Sequence, residues 1–189
     1  LAARPYSQAL YDSITTISQV SKLENHPLLS AHSNGIPVIV MVGTDKGLCG
    51  ALNGNLMKQL ALWKKEHSSG EVIAVGKKAV LAARVLGMTV HAQFTHIPDH
   101  VTTSDIIPMT TLILTRFSDQ TFRSVDILYT DFVNTLSQKP KQASLFPLSQ
   151  TFRPDGVVMK VDESMPVKSY IFEPDPTQIL NSLLPFYLE

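Results

Sequence analysis

One cysteine in 189 residues, a formal net charge of zero and no long apolar run are the first things this sequence lacks. Cys49 alone cannot close an internal disulfide, and no CxxC spacing exists, which fits a reducing compartment such as the cytoplasm or an organelle matrix. Sixteen Lys and Arg balance sixteen Asp and Glu, so the basic footprint of a nucleic-acid binder is missing. No apolar stretch reaches the roughly 18 to 20 residues that a membrane-spanning helix needs, and the first residues lack the basic-then-apolar layout of a secretion signal. Neither an internal repeat nor a low-complexity tract is present. The length suits a single domain with one substantial core, somewhat above the common size of about 100 to 150 residues.

What is there alternates. Residues 5–23 place Ala9, Leu10, Ile14, Ile17 and Val20 on one face at helical spacing. IPVIVMV, from Ile36 to Val42, is a continuous β-branched run, the pattern of a strand buried on both faces of a parallel sheet. Leu52, Leu56, Leu60 and Trp63 predict a helix that stops near Gly70, and VIAVG is a second strand. GKKAVLAARVLG reads as a helix closed by Gly87, and MTVHAQF as a third strand. SDIIPMTTLILTRFSDQTF reads as a helix with Ser104 or Asp105 near its cap and Pro108 in its first turn. SVDILYTDFVN is a fourth strand, and QASLFPL an edge partner, because Pro147 cannot donate to a ladder. Residues 151–168 read as a loop or hairpin, and EPDPTQ opens a last helix with Asp175 as N-cap, Pro176 next and Gln178 at the third position. Strands alternating with helices predict an α/β fold: a Rossmann-like open, mostly parallel sheet with right-handed crossovers and helices on both faces.

MVGTDKGLCGALNGNLMKQL, a strand running into a glycine-rich turn and a helix, is the arrangement that often holds a phosphate. The spacing argues against it. A Walker loop has Gly-Lys-Ser/Thr after four intervening residues, and here that place falls on Leu48. The dinucleotide pattern GxGxxG requires glycine at position 45, which is Asp45, a carboxylate. Weak anion binding at the helix start survives as a minor alternative; more often such glycines let a loop pass close to a neighbour. Cys49 beside Lys46 could be a nucleophile, but a lone cysteine usually packs. The lysines of GKK fit a solvated helix start. His91, His96, Asp99 and His100 sit close in sequence, yet Pro98 breaks helical presentation and no HExxH or cysteine frame accompanies them. No paired carboxylates and no Ser/His/Asp order stand out.

The combination of stretches resembles the gamma subunit of the rotary F-type ATP synthase. TDKGLCGALN matches that family's strand–turn–helix wording over ten residues. RPY at Arg4 to Tyr6, FVNTLSQKP at Phe132 to Pro140 and YIFEPDPTQILNSLLPFYL at Tyr170 to Leu188 follow in the same order. The departures are Ala51 in place of a second glycine, and Lys46, which keeps the charge but not the bidentate fork of arginine. A chloroplast-type inserted cysteine pair is missing and mitochondrial members diverge in GLCGALNGN, so the resemblance points to a bacterial source.

The resemblance implies residues 1–24 as the end of an N-terminal helix, 36–172 as the α/β core, and 174–189 as the start of a C-terminal helix. Most of the two coiled-coil shaft helices would then lie outside this chain, an expectation consistent with its start at Leu1 and its apolar finish. Ala9, Leu10, Ile14 and Ile17 are expected to pack on Leu180, Leu183, Leu184 and Tyr187. The implied role is non-catalytic, with no cofactor: a rotor that couples proton-driven rotation of the c ring to ATP synthesis. It would be a peripheral subunit at the cytoplasmic face of the bacterial inner membrane, with the alpha, beta and epsilon subunits and the c ring as partners. Asp45, Lys46, Gly47 and Cys49 would face the acidic lever loop of beta, with Gly43, Gly47 and Gly50 serving close approach and unusual backbone angles. Tyr170 and Glu173 would face the c ring and epsilon. Two rivals stand beside this: a nucleotide-binding enzyme using the Gly47–Gly50 loop, and a stand-alone binding module.

Overall fold

The computed structural model describes residues 32–98, 100–135 and 137–147, together with Ser13, Ile17, Leu28, Ser30, Asp175, Gln178, Ile179, Ser182 and Leu183. Five strands and three helices are defined among them: β1 (Ile36–Val42), α1 (Leu52–Glu66), β2 (Glu71–Val75), α2 (Lys77–Val85), β3 (Val90–Phe94), α3 (Thr103–Ser118), β4 (Phe122–Asn134) and β5 (Ser137–Phe146). The sheet order is β3-β2-β1-β4-β5. β1 pairs in parallel with β2 and β4, β2 in parallel with β3, and β5 antiparallel to β4.

That order follows from the crossover rule. Steps from β1 to β2 and from β2 to β3 move outward one way, so right-handed connections put α1 and α2 on one face. The step from β3 back past β1 to β4 reverses direction and puts α3 on the other. The apolar run of β1 then serves two cores at once. Val38 and Val40 point to α3, where Ile113, Phe117, Phe122 and Phe146 gather; Ile39 and Met41 point to Leu56, Leu60, Trp63, Ala79 and Ala83. Each fully buried Ile, Leu or Met side chain contributes about 1.5–3 kcal/mol, and both faces of the sheet draw on this.

Differences from the sequence expectations are local. Thr102, not Ser104 or Asp105, caps α3; Asp105 is the third helical residue and accepts from Thr102 N–H at 2.8 Å, forming a capping box. Pro108 therefore lies in the second turn, where its ring removes the N–H that would reach Ser104. β5 begins at Ser137, so the proline within the ladder is Pro140, tolerated because the strand is at the sheet edge, while Pro147 follows the strand. α1 ends at Glu66 with His67 as its C-cap; Gly70 instead admits the Trp63 ring, which a Cβ there would meet at 2.4 Å. Gly87, with φ +63°, closes α2 as expected.

Of the residues expected to pair the chain ends, Ile17 is buried and Leu183 packs against the α3-side core. Ile179 N–H donates to Asp175 O at 3.1 Å, the bond of a helix starting at Asp175. Ala9, Leu10, Ile14, Leu180, Leu184 and Tyr187, the loop at 151–168, and both Tyr170 and Glu173 lie outside the described residues.

Candidate functional site

The turn from Gly43 to Ala51 leaves the C-terminal end of β1, beside the point where the strand order reverses, which is where open α/β sheets place their ligands. Its geometry is fixed by three sets of contacts. Gly43 N–H continues the ladder to Val75 O at 2.8 Å, and Lys78 N–H reaches Thr44 O at 2.9 Å. The backbones of the two successive βα turns thus touch: a Cβ on Gly76 would stand 2.5 Å from Gly43 O, and one on Gly43 would stand 3.0 Å from Ala79 N.

A side-chain knot closes the turn on itself. Asn53, in the first turn of α1, accepts from Thr44 N–H at 3.2 Å and donates to Thr44 Oγ1 at 2.8 Å and to Cys49 Sγ at 2.8 Å. Thr44 Oγ1 in turn donates to Lys46 O at 2.7 Å. Asn53 and Thr44 both lie within TDKGLCGALN, and the fold that brings the two ends of the turn together makes them partners.

Asp45 supplies the third set. One carboxylate oxygen accepts Lys77 N–H, the first amide of α2, at 2.8 Å, and the other accepts His96 N–H at 2.8 Å. The Lys77 amide and, after it, the His96 amide hold this carboxyl below the ordinary aspartate range. A carboxylate here sits at the positive end of the α2 dipole. It fills, from within the chain, the place where a phosphate would bind.

The glycine expectation holds in two of three places. Gly43 makes the close approach and Gly50 has φ +56°, but Gly47 has open space around it and does not adopt positive φ. Leu48 adopts the left-handed conformation as well, φ +61°, with a fully exposed side chain. Lys46 is exposed beside it and Cys49 is half-buried. Sequence reasoning passed over Leu48; an apolar residue between glycines at a turn tip was the available signal.

A cleft of about 810 Å³ opens next to this turn, with Val42, Val75, Ile97 and Met109 among its apolar walls and Lys46, Lys77 and His96 at its polar side. No three His, Cys, Asp or Glu side chains gather as metal ligands among the described residues; His91 instead pairs with Glu71 at 2.8 Å, away from His96. No described helix is long and apolar enough to cross a membrane.

These features define a doubly wound α/β domain with a self-capped strand–turn–helix at its switch point. The chain belongs to the ATP synthase gamma-chain family: a family model described as ATP synthase matches residues 1–189. Curated relatives include the ATP synthase gamma chains of Actinobacillus succinogenes, 31% identical over 192 residues, of Actinobacillus pleuropneumoniae serotype 5b, 34% identical over 195 residues, and of Legionella pneumophila strain Corby, 27% identical over 192 residues. Each match takes in 100% of this chain and 65% of the relative, so the chain spans just under two thirds of their length. The central stalk/c-ring structure of the Tetrahymena thermophila mitochondrial ATP synthase shares the fold, with a TM-score of 0.62 at 18% identity over 99% of this chain and 86% of that one.

Proposed function

We propose that this chain is the globular part of a rotor, a non-catalytic domain that joins a helical shaft to the epsilon subunit and the c ring, and through which c-ring rotation is coupled to ATP synthesis at the alpha and beta subunits. The observation that carries the reading is the turn of residues 44–53, within the span matched by the family model, closed on itself by Asn53 and tied through Asp45 to the start of α2. Asp45 occupies the start of α2, whereas the enzyme alternative uses the Gly47–Gly50 loop before α1, so nucleotide binding by the domain is what separates the two readings.

In this reading Lys46, Gly47 and Cys49 face the acidic lever loop of beta, and Asp45 positions the turn by holding α2 and the His96 backbone. Tyr170 and Glu173 face the c ring and epsilon. The subunit is peripheral, at the cytoplasmic face of a bacterial inner membrane. Residues 1–24 and 174–189 belong to the two shaft helices, and residues 36–172 form the α/β core.

The test uses the full-length subunit assembled with its partners, carrying a cysteine in the lever loop of beta. A disulfide to Cys49 that stops ATP hydrolysis, with activity returning on reduction, is the expected outcome. Absence of any crosslink, together with micromolar Mg-ATP binding by the domain, would replace the rotor reading with the enzyme.

A further inference from the structure

The cleft of about 810 Å³ opens outside the C-terminal ends of β1 and β2, the side of an open α/β sheet that receives ligands. Its size falls within the roughly 300–1,000 Å³ of small-molecule sites. Val75 lines it from β2, Ile97 and Val101 from the loop after β3, and Ile106 and Met109 from the first two turns of α3. Val101 is 52% exposed, so part of this apolar wall faces water. The walls are fastened to one another. Asp45 accepts Lys77 N–H with one carboxylate oxygen and His96 N–H with the other, which ties the start of α2 to the loop that carries Ile97. His96 is held at φ +63°, a sparsely used conformation that persists where the surroundings fix it. The cleft is therefore shaped before anything enters it, which spares a ligand the cost of ordering it.

Its polar side carries opposite charges close together. Asp45 is ionised, its carboxyl held low chiefly by the Lys77 amide, and Lys46 and Lys77 line the same side. An anionic ligand would meet the carboxylate and a cationic one the two lysines, and either would lose water on entering apolar walls. Each Asp45 oxygen has accepted one amide, and a carboxylate offers about four lone-pair sites, so acceptor capacity remains. We propose that this cleft binds an uncharged aromatic molecule with a single N–H or O–H donor, its ring among Val75, Ile97 and Met109 and its donor on Asp45. The site stands apart from the rotor reading. Asp45 also positions the turn from Gly43 to Ala51, so a bound molecule acts on that turn's anchor.

Indole, one ring system with one N–H, is the probe. It is titrated into the 189-residue chain and followed by NMR through the Met109 methyl group and the backbone amides of Lys77 and His96. Half-saturation is expected at about 1 mM, the range for so small a ligand. Indole carboxylate and tryptamine, its anionic and cationic relatives, should each bind about tenfold more weakly. Val101→Glu, which charges an exposed part of the wall, should abolish the shifts, whereas Val85→Glu, on exposed α2 surface outside the cleft, should leave them unchanged. The proposal is overturned if indole at its solubility limit leaves these signals unmoved, if either charged relative binds as tightly as indole, or if Val101→Glu and Val85→Glu bind it alike.

Discussion

Replacing Gly76 by alanine should destabilise the fold more than its size suggests. Gly76 has φ +89°, and an added Cβ would lie 2.5 Å from Gly43 O and 2.9 Å from Gly43 C, both backbone atoms that cannot swing aside. With ψ at 149° this is backbone that essentially only glycine adopts, costing about 1–3 kcal/mol for a residue with a Cβ, and forcing two backbones apart adds about 1–3 kcal/mol, as overpacking does elsewhere. A loss of about 3 kcal/mol is a large part of the roughly 5–15 kcal/mol that holds a domain together, and corresponds to about 6–12 °C in melting temperature for a chain of this size. Gly54 is the control: it lies in the first turn of α1 with nothing within 4 Å of an added Cβ and no positive φ. Gly54→Ala should stabilise by about 0.5–1 kcal/mol. Urea unfolding followed by the fluorescence of Trp63, the single tryptophan, measures both. Equal midpoints for the two variants would refute the claim that the βα turns are locked backbone to backbone.

Asp126 accepts from Trp63 Nε1 at 2.6 Å, and its burial raises its carboxyl above the ordinary range, an effect that the Trp63 hydrogen bond and nearby His67 offset in part and Glu66 reinforces. The folded state then binds more protons than the unfolded, so stability should fall as pH rises from about 4, the unfolded carboxylate value, through the raised folded value, and stay flat above it; Asp126→Asn should remove that segment in pH-dependent urea melts. The lowered Asp105, held first by the Thr102 hydroxyl, acts with the opposite sign: its contribution is present above about 4 and lost on acidification, and Asp105→Asn should remove that acid-side loss from the pH profile. Lys46→Glu in the full-length subunit should leave the complex assembled and lower ATP-driven proton pumping more than ATP hydrolysis, because an exposed ion pair contributes only about 0–1 kcal/mol and can tune a contact without holding it. A cysteine at position 170 should crosslink to one in the c-ring loop; no product under oxidising conditions counts against that contact.

Much of the fold was legible because it rests on periodicity. The unbroken run of Ile36 to Val42 could only be a strand with a core on each face, and the spacing of Leu56, Leu60 and Trp63 fixed the side α1 presents to it. What was not legible depends on contacts distant in the chain. Asp45 spoiled a glycine motif on paper, but its partners lie 32 and 51 residues further on, so its capping of α2 had no local signature. The cap of α3 shifted to Thr102 because the neighbouring Ser104 and Asp105 are equally plausible by type, and only the backbone of Thr102 is extended. Pro140 was missed as a strand residue because the edge strand was read from Gln142 onward, whereas its pairing with β4 begins at Ser137, in a polar stretch without strand periodicity. At the turn, residue types announced the positive φ of Gly50 but not that Leu48, rather than Gly47, would share it.

The proposed rotor role requires this domain to turn within its assembly. A bead attached through Val85→Cys, an exposed position on α2, in a Cys49→Ser subunit assembled with immobilised alpha and beta, reports that motion under a microscope. Sustained rotation in one direction is expected when Mg-ATP is added. A bead that stays still while the same complexes hydrolyse ATP would contradict it.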